Sequence, residues 1–426
     1  MSLFGAMSTA ISGLSAQSAA FSNISDNVAN SQTVGFKRVD TSFEDYLTTS
    51  TAQQNTSGAV VARPDYVNDV QGTITQSDNK LALAVAGQGF FAVSRPDGSA
   101  AGKQQFDAQG FYTRTGDFQM NKDGFLVNSA GDFLNGWAAD PATGALNQSQ
   151  LTPIQISQGE SAPVPTSQVT LAANLPATPA PGATPSSQID VYDAQGSLQT
   201  LTMQWTPGAA AGDWTLDVLQ GTTPLASADV QFGANGMPAG TLGGITPNAP
   251  ATGGSAAPKQ GDPATLGFTL GKQAITLNLG SYGTSTGVTQ YAGTQYSLRG
   301  ASQDGVPPGS FSGVATQANG DIVVNYDNGQ SRTVARVPLV DFADSDALQR
   351  QDGQAFTATL QSGGGVTQNA GSNGAGTLVT SSVESSNVDI ATEFSKLIVA
   401  QRAYSANTKM VTTADDMLQQ TIDMKR

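Results

Sequence analysis

Apolar residues recur every seven positions at both ends of this chain, and between the ends their period is two. That division constrains the fold strongly. A period near 3.5 makes a helix with one apolar stripe, whereas a period of two makes a strand with one buried face. At the start, Met7, Leu14, Phe21 and Val28 hold one heptad position. Phe4 and Ile11 hold the other, with Ser18 and Ser25 in its remaining places. At the end, Ile390, Leu397, Tyr404, Val411 and Leu418 are seven apart, and Phe394 and Ile422 join the same seam. Ala403, Met410, Met417 and Met424 form a second row beside it. Ser386 and Asn387 are the expected caps, and Asp389 and Glu393 suit a helix N-terminus. From residue 389 to residue 424 such a helix runs about 54 Å. It is too long and too one-sided to cover its own stripe, so these rows are expected to pack against each other and against other copies.

The middle reads as strands. Ile189 and Val191 alternate with polar residues, an Asp-Ala-Gln-Gly turn follows, and then Leu201, Met203 and Trp205 alternate. Trp214, Leu216 and Val218 repeat the pattern. Asp327-Asn328-Gly329 between two strand-like runs is a hairpin signal. Residues 172–187 and 246–264, rich in Pro, Gly, Ala and Ser, read as linkers or long surface loops. The fold class expected is therefore mainly β with α-helical termini.

Composition narrows the chemistry. The 426 residues include no cysteine and no histidine. Disulfides, thiol nucleophiles, thiolate or imidazole metal sites and Ser-His-Asp arrangements are all excluded. With 48 glycines, 20 prolines and only 12% charged residues, the balance suits a turn-rich β protein better than a helix-rich α/β enzyme. The net charge of −14 would repel a phosphate backbone, so nucleic acid is not an expected partner. No lysine or arginine occurs between Lys122 and Lys259, which marks a solvated outer surface or scattered surface acidity. Residues 1–25 carry no charge, but serines at 2, 8, 12, 15, 18, 22 and 25 interrupt every apolar run, so membrane insertion is not expected. The first cation is Lys37, so a cleavable leader with a basic n-region is not expected either.

Two stretches imitate binding motifs. Gly87-x-Gly89-x-x-Ala92 outlines a dinucleotide fingerprint, yet Phe90 and Phe91 continue as strand where a helix is required. Asn121, Asp123 and Gly124 outline a calcium loop whose bidentate glutamate position is Ala130. Both read as turns. No acidic pair stands out for glycoside cleavage, so no catalytic, cofactor or metal residue is assigned and the chain is expected not to be an enzyme.

The segments MSLFGAMSTAISGLSAQ and ISDNVANSQTVGFKR resemble the N-terminal signature of bacterial flagellar axial proteins, the rod and hook subunits. Its turn falls on Asn27, Ala29, Asn30, Thr33, Gly35, Phe36 and Lys37. SNVDIATEFSKLIVAQRAYSANTKMVTTADDMLQQTIDM resembles the partner signature at the C-terminus, and GQGFF and YTRTGDFQMNKDGFLVNSAGDFLNGW resemble the inner β region. The likeness covers over half the chain. Residues from about 150 to 285 match mainly by position, as the outer domain that hook subunits carry and rod subunits lack or shorten. The resemblance implies a coiled-coil-like inner domain from residues 1–70 and 380–426, an inner β domain from 71–150 and 286–379, and an outer β domain of 151–285 stacked on it. It implies a bendable tubular homopolymer that transmits torque from rod to filament, with no cofactor. Phe36 and Lys37 would then pack and pair against adjacent subunits. The implied partners are the distal rod protein, the hook cap, the hook–filament junction protein, the hook-length ruler and the flagellar type III export apparatus. Export without a cleavable leader is implied as well. Phe43 and Leu47 fit the export-gate segment of such subunits, or serve local packing. Two rivals are a distal rod subunit, which the acidic central region argues against, and a carboxylate-based secreted β-rich enzyme, which needs a catalytic segment not evident in residues 150–285.

Overall fold

The computed structural model describes residues 3–50, 55–100, 103–141 and 143–424; residues 1, 2, 51–54, 425 and 426 of the expected inner domain lie outside the described residues. The chain is mainly β with a helix at each end. It divides into two compact units, one of residues 1–158, 313–325 and 331–426 and one of residues 159–312 and 326–330.

The first unit begins with α1 (Leu3–Ala29), which contains no proline. The Thr9 and Ser12 hydroxyls donate to the Gly5 and Thr9 carbonyls at 3.0 and 2.8 Å, so these polar side chains are satisfied within the helix. The helix stops at Asn30 for a local reason. The Asn30 side-chain amide donates to the Asp26 carbonyl at 2.9 Å, and Thr33 Oγ1 donates to Asn30 Oδ1 at 3.2 Å, so side chains take over where backbone bonds end. Gly35 then turns the chain at φ +70°, where a Cβ would stand 2.6 Å from the Thr115 nitrogen. No other residue fits that corner.

After the corner, β1 (Val39–Ser50) and β2 (Asn55–Tyr66) form an antiparallel hairpin registered from Val39 on Tyr66 to Ser50 on Asn55. It lies along α1: the Val60 amide donates to Ser12 Oγ at 3.0 Å and Asn23 Nδ2 to Thr41 Oγ1 at 2.8 Å. The unit ends in α2 (Ile390–Asp423). Its cap is Asp389, not Ser386 or Asn387: the Asp389 carboxylate accepts the Thr392 N–H at 2.7 Å, which holds its pKa below the ordinary value. Asn387 instead ties two segments together. Its Oδ1 accepts the Arg38 N–H at 2.7 Å, and its Nδ2 donates to the Val67 and Val70 carbonyls, each at 3.0 Å.

The β part of this unit is built on a sheet whose central strands are Phe133–Ala138, Phe91–Ser94, Phe111–Thr113 and Ala355–Thr357. Phe90 fills its core edge-on to Phe342 and Phe356, at 6.0 and 5.7 Å between centroids. Residues 321–325 pair antiparallel with Ser331–Arg336, the pairing that the Asp-Asn-Gly hairpin signal between them predicts. Gly87 and Gly89 sit in the turn between strands Leu83–Ala86 and Phe91–Ser94, with no helix following. Asn121 Oδ1 accepts the N–H groups of Asp123 and Phe125 at 3.0 and 2.9 Å, closing a turn.

The second unit contains a five-stranded antiparallel sheet, Ser186–Tyr192, Leu198–Pro207, Asp213–Gln220, Thr223–Phe232 and Leu242–Asn248, and a second sheet around Gln168–Asn174, Pro263–Leu270 and Gln273–Ser281. The alternating residues Leu201, Met203, Trp205, Trp214, Leu216 and Val218 all point into one core, as period two requires. Two loop expectations fail here. Residues 172–174 belong to a strand paired with Ser297–Gln303, and Ser186 and Ser187 begin another. Within 246–264, Thr252 and Gly253 pair with Gly267 and Leu266. Backbone pairing does not depend on side-chain size, so a strand of small residues shares its composition with a linker.

Candidate assembly surface

α1 and α2 pack antiparallel, and small or polar residues make the contact. On α1 the buried line is Ala10, Ala16, Ala20, Ile24 and Asn27; on α2 it is Glu393, Ala400 and Ala414. Gly13 faces Asn407 so closely that an added Cβ would lie 2.9 Å from Asn407 Nδ2. Small side chains let the two backbones approach. The expected seam lies to the side of this line. Phe4, at 65% exposed, and Ile11, Ile390, Phe394, Tyr404 and Ile422 are exposed. Met7, Leu14, Phe21, Val28, Leu397, Val411 and Leu418 are half-buried. The heptad rows were expected to pack against each other and against other copies; within one chain the closest helix contact is made by alanine and glycine, and the large apolar side chains flank it.

The large residues fall on two flanks. At about 100° per residue, Val399, Met410 and Met417 lie on one side of the buried line of α2, and Leu397 and Tyr404 on the other. The second flank continues across both helices, where Phe21 and Tyr404 meet edge-on at 6.3 Å. The first flank borders a trough floored by α1 and walled by β1. Its wider part, ≈ 640 Å³, is lined by Ala20, Ile24, Phe43, Val399, Ala400 and Ala403 among others. Its continuation, ≈ 400 Å³, is lined by Ala6, Ala10, Gly13, Phe43, Val60 and Met410 among others. Phe43 lines both parts. Phe43 and Leu47 are paired in the hairpin with Ala62 and Ser57, and each remains nearly half exposed.

The base of the helices is anchored by buried charge. Glu384 Oε1 accepts Lys37 Nζ at 2.6 Å and the Gly72 N–H at 2.8 Å, while its Oε2 faces Arg114 NH1 at 3.2 Å. Lys37 Nζ also donates to the Val70 carbonyl at 2.7 Å. All three ionised side chains are 1% exposed. Burial lowers the pKa of Lys37, with the Glu384 carboxylate opposing that shift. Phe36 is buried with Arg350 stacked 4.3 Å from its ring centroid. The expectation that Phe36 and Lys37 reach adjacent subunits is thereby corrected: both are consumed inside the chain. Glu384, in a serine-rich stretch, carried no sequence signal of its role.

A second cluster joins the helices. Asn27 Nδ2 donates to Glu393 Oε2 at 3.1 Å and to the Val39 carbonyl at 2.9 Å, while Asn27 Oδ1 accepts the Val39 N–H at 2.9 Å. Lys396 pairs with Glu393 at 2.8 Å and with Asp40. The signature residue Asn27 is thus a clamp between α1, β1 and α2, and Thr33 and Asn30 close the turn beside it.

Four families match the chain. They are described as "Flagella basal body rod protein" over residues 7–37, "Flagellar hook protein FlgE/F/G D1 domain" over 84–173, "Flagellar basal body protein FlaE D2 domain" over 165–306 and "Flagellar basal body rod FlgEFG protein C-terminal" over 379–424. The flagellar hook protein FlgE of Brucella abortus is 32% identical over 430 residues, with 100% of each chain covered. That of Escherichia coli is 28% identical over 437 residues, covering 99% of this chain and 100% of its own. A crystal structure of Helicobacter pylori flagellar hook protein FlgE2 superposes with a TM-score of 0.45 at 14% identity, covering 71% of this chain and 98% of that one.

Proposed function

The chain belongs to the flagellar hook protein family and is a structural subunit of the flagellar hook; on that premise we propose that its helix pair joins subunits through the two apolar flanks left open beside its small-residue seam. The observation that carries this reading is the inversion of size across the seam, with alanine and glycine inside and phenylalanine, tyrosine, isoleucine and methionine outside. An exposed apolar surface of that extent is a docking surface for a partner. One flank is a ridge and the other borders a trough. Unlike surfaces meet head to tail, and such contacts repeat into an open helical polymer. The seam residues named from the sequence would then be inter-subunit contacts.

A tube built this way can bend if helix contacts persist while other contacts slide, as a joint transmitting torque requires. The subunit's role would be mechanical and not enzymatic. Its partners would be its own copies, the distal rod protein, the hook cap, the hook–filament junction protein and the hook-length ruler, with delivery through the flagellar export apparatus. Phe43 and Leu47 would engage that apparatus while the chain is unfolded, and Phe43 lines the trough once it is folded.

The test compares tube formation, by electron microscopy and sedimentation, for Ile11→Asp, Phe394→Asp and the second-unit control Thr222→Asp. The two helix variants should lose tubes, because an unpaired charge enters an apolar contact in every subunit. Thr222→Asp should assemble normally. Normal tubes from both helix variants would remove the flanks from the interface.

A further inference from the structure

On the reading that the flanks of the helix pair contact other copies, we propose that Met410, Met417 and Met424 form an oxidation-sensitive assembly switch. Conversion of their thioethers to sulfoxides in the free subunit would block its addition to the polymer. Met410 and Met417 lie seven residues apart on one flank of α2 and Met424, its C-cap, follows seven further on; they are 59%, 51% and 85% exposed. Met410 borders the trough, whose lining is mostly apolar (Ala6, Ala10, Gly13, Phe43) with Thr9, Gln17 and Asn407 as its polar members. The chain has no cysteine, so methionine is its only sulfur, and three of its 8 methionines stand on this line. Met203, by contrast, is fully buried in the core of the second unit.

The chemistry needs only a peroxide. The sulfur lone pair attacks one oxygen of hydrogen peroxide, the O–O bond breaks, the sulfur–oxygen bond forms, and the other oxygen leaves as water after proton transfer. Sulfur is oxidised by two electrons and the peroxide is reduced. Each step turns a soft apolar side chain into one with a strong acceptor dipole. Covering that acceptor with the apolar flank of another copy removes its hydrogen bonds to water and opposes the contact. In the polymer the same sulfurs are covered, so the switch acts on free subunits and spares those already in place.

Full-length free subunit and assembled polymer are each treated with hydrogen peroxide, and oxygen uptake at each methionine is mapped by mass spectrometry. Growth from polymer seeds is then followed by sedimentation. The free subunit should take up oxygen at Met410, Met417 and Met424 well before Met203, and the polymer should be protected at the first three. The oxidised subunit should need about tenfold more concentration, or higher, to grow. Methionine sulfoxide reductases should restore growth. A Met410→Leu, Met417→Leu, Met424→Leu variant conserves volume and should grow with or without peroxide. Normal growth of the oxidised subunit, or equal peroxide sensitivity of the triple variant, would overturn the switch. Absence of growth by the untreated subunit, with all eight sulfurs equally reactive in any aggregate, would overturn the assembly reading and the switch with it.

Discussion

The second unit and the helix pair solve the burial problem in opposite ways. In the second unit the large apolar side chains face one another: Trp205, Trp214, Leu216, Val230, Ile245, Phe268 and Leu277 share one core. In the helix pair the large side chains face out, and alanine and glycine fill the contact. The first region needs no other molecule to satisfy its sequence. The second holds its shape through polar clamps at its base, and its apolar area stays open. A chain can therefore carry a self-sufficient domain and one that leaves its large apolar side chains in water.

The strongest way to break this contrast is to attack each region's anchor. Trp205→Ala should cost about 3–5 kcal/mol of stability in the second unit, since a fully buried indole leaves a cavity. Denaturant unfolding followed by intrinsic fluorescence would measure the loss, and helix content should be unaffected at its midpoint. Glu384→Gln should cost a similar amount, about 3–5 kcal/mol, because Lys37 and Arg114 would remain buried without a counter-charge. Here the damage should fall on the first unit. Hydrogen exchange should rise at residues 35–39 and 384–389, while the second unit's amides keep their protection. Equal damage to both units by either variant would erase the distinction between them.

A smaller effect sharpens it. Burial holds Lys37 below 10.5. Between its lowered folded value and 10.5, the unfolded chain keeps a proton that the folded chain has released, so this group makes stability rise with pH across that alkaline window. Denaturant midpoints of the parent protein measured against Lys37→Met should show the slope in the parent and its absence in the variant. The smallest effect on the free subunit is expected from Ile11→Asp and Phe394→Asp. Both side chains are already in water, so thermal stability of the folded subunit should change by no more than about 0.5 kcal/mol. A large loss of monomer stability in either variant would mean that the flank is an internal packing surface.

Much of this architecture was legible in residue order. Alternation at Leu201, Met203 and Trp205 and the Asp-Asn-Gly turn are local patterns, and local patterns survive into the fold because they depend on side-chain direction along one strand. The helices were equally visible, since heptad spacing needs no distant partner to be read. The heptads named a stripe shared between the other helix and other copies, and hydrophobic size is no measure of which part of it the other helix covers. An alanine at 4% exposure and a phenylalanine at 65% reverse that measure, and both occur on α1.

What residue order settled, then, were the elements: which segments coil, which extend, where Gly35 must turn, and which chemistries are absent without histidine or cysteine. What folding in three dimensions added were the pairings across long separations. Lys37 meets Glu384 and Asn27 meets Glu393 across 347 and 366 positions, and no local pattern predicts either. A helix stripe reports only that one side is apolar. Which part of that stripe is covered depends on how closely two backbones approach, and that distance is set by Gly13 and its neighbouring alanines once α1 and α2 are side by side.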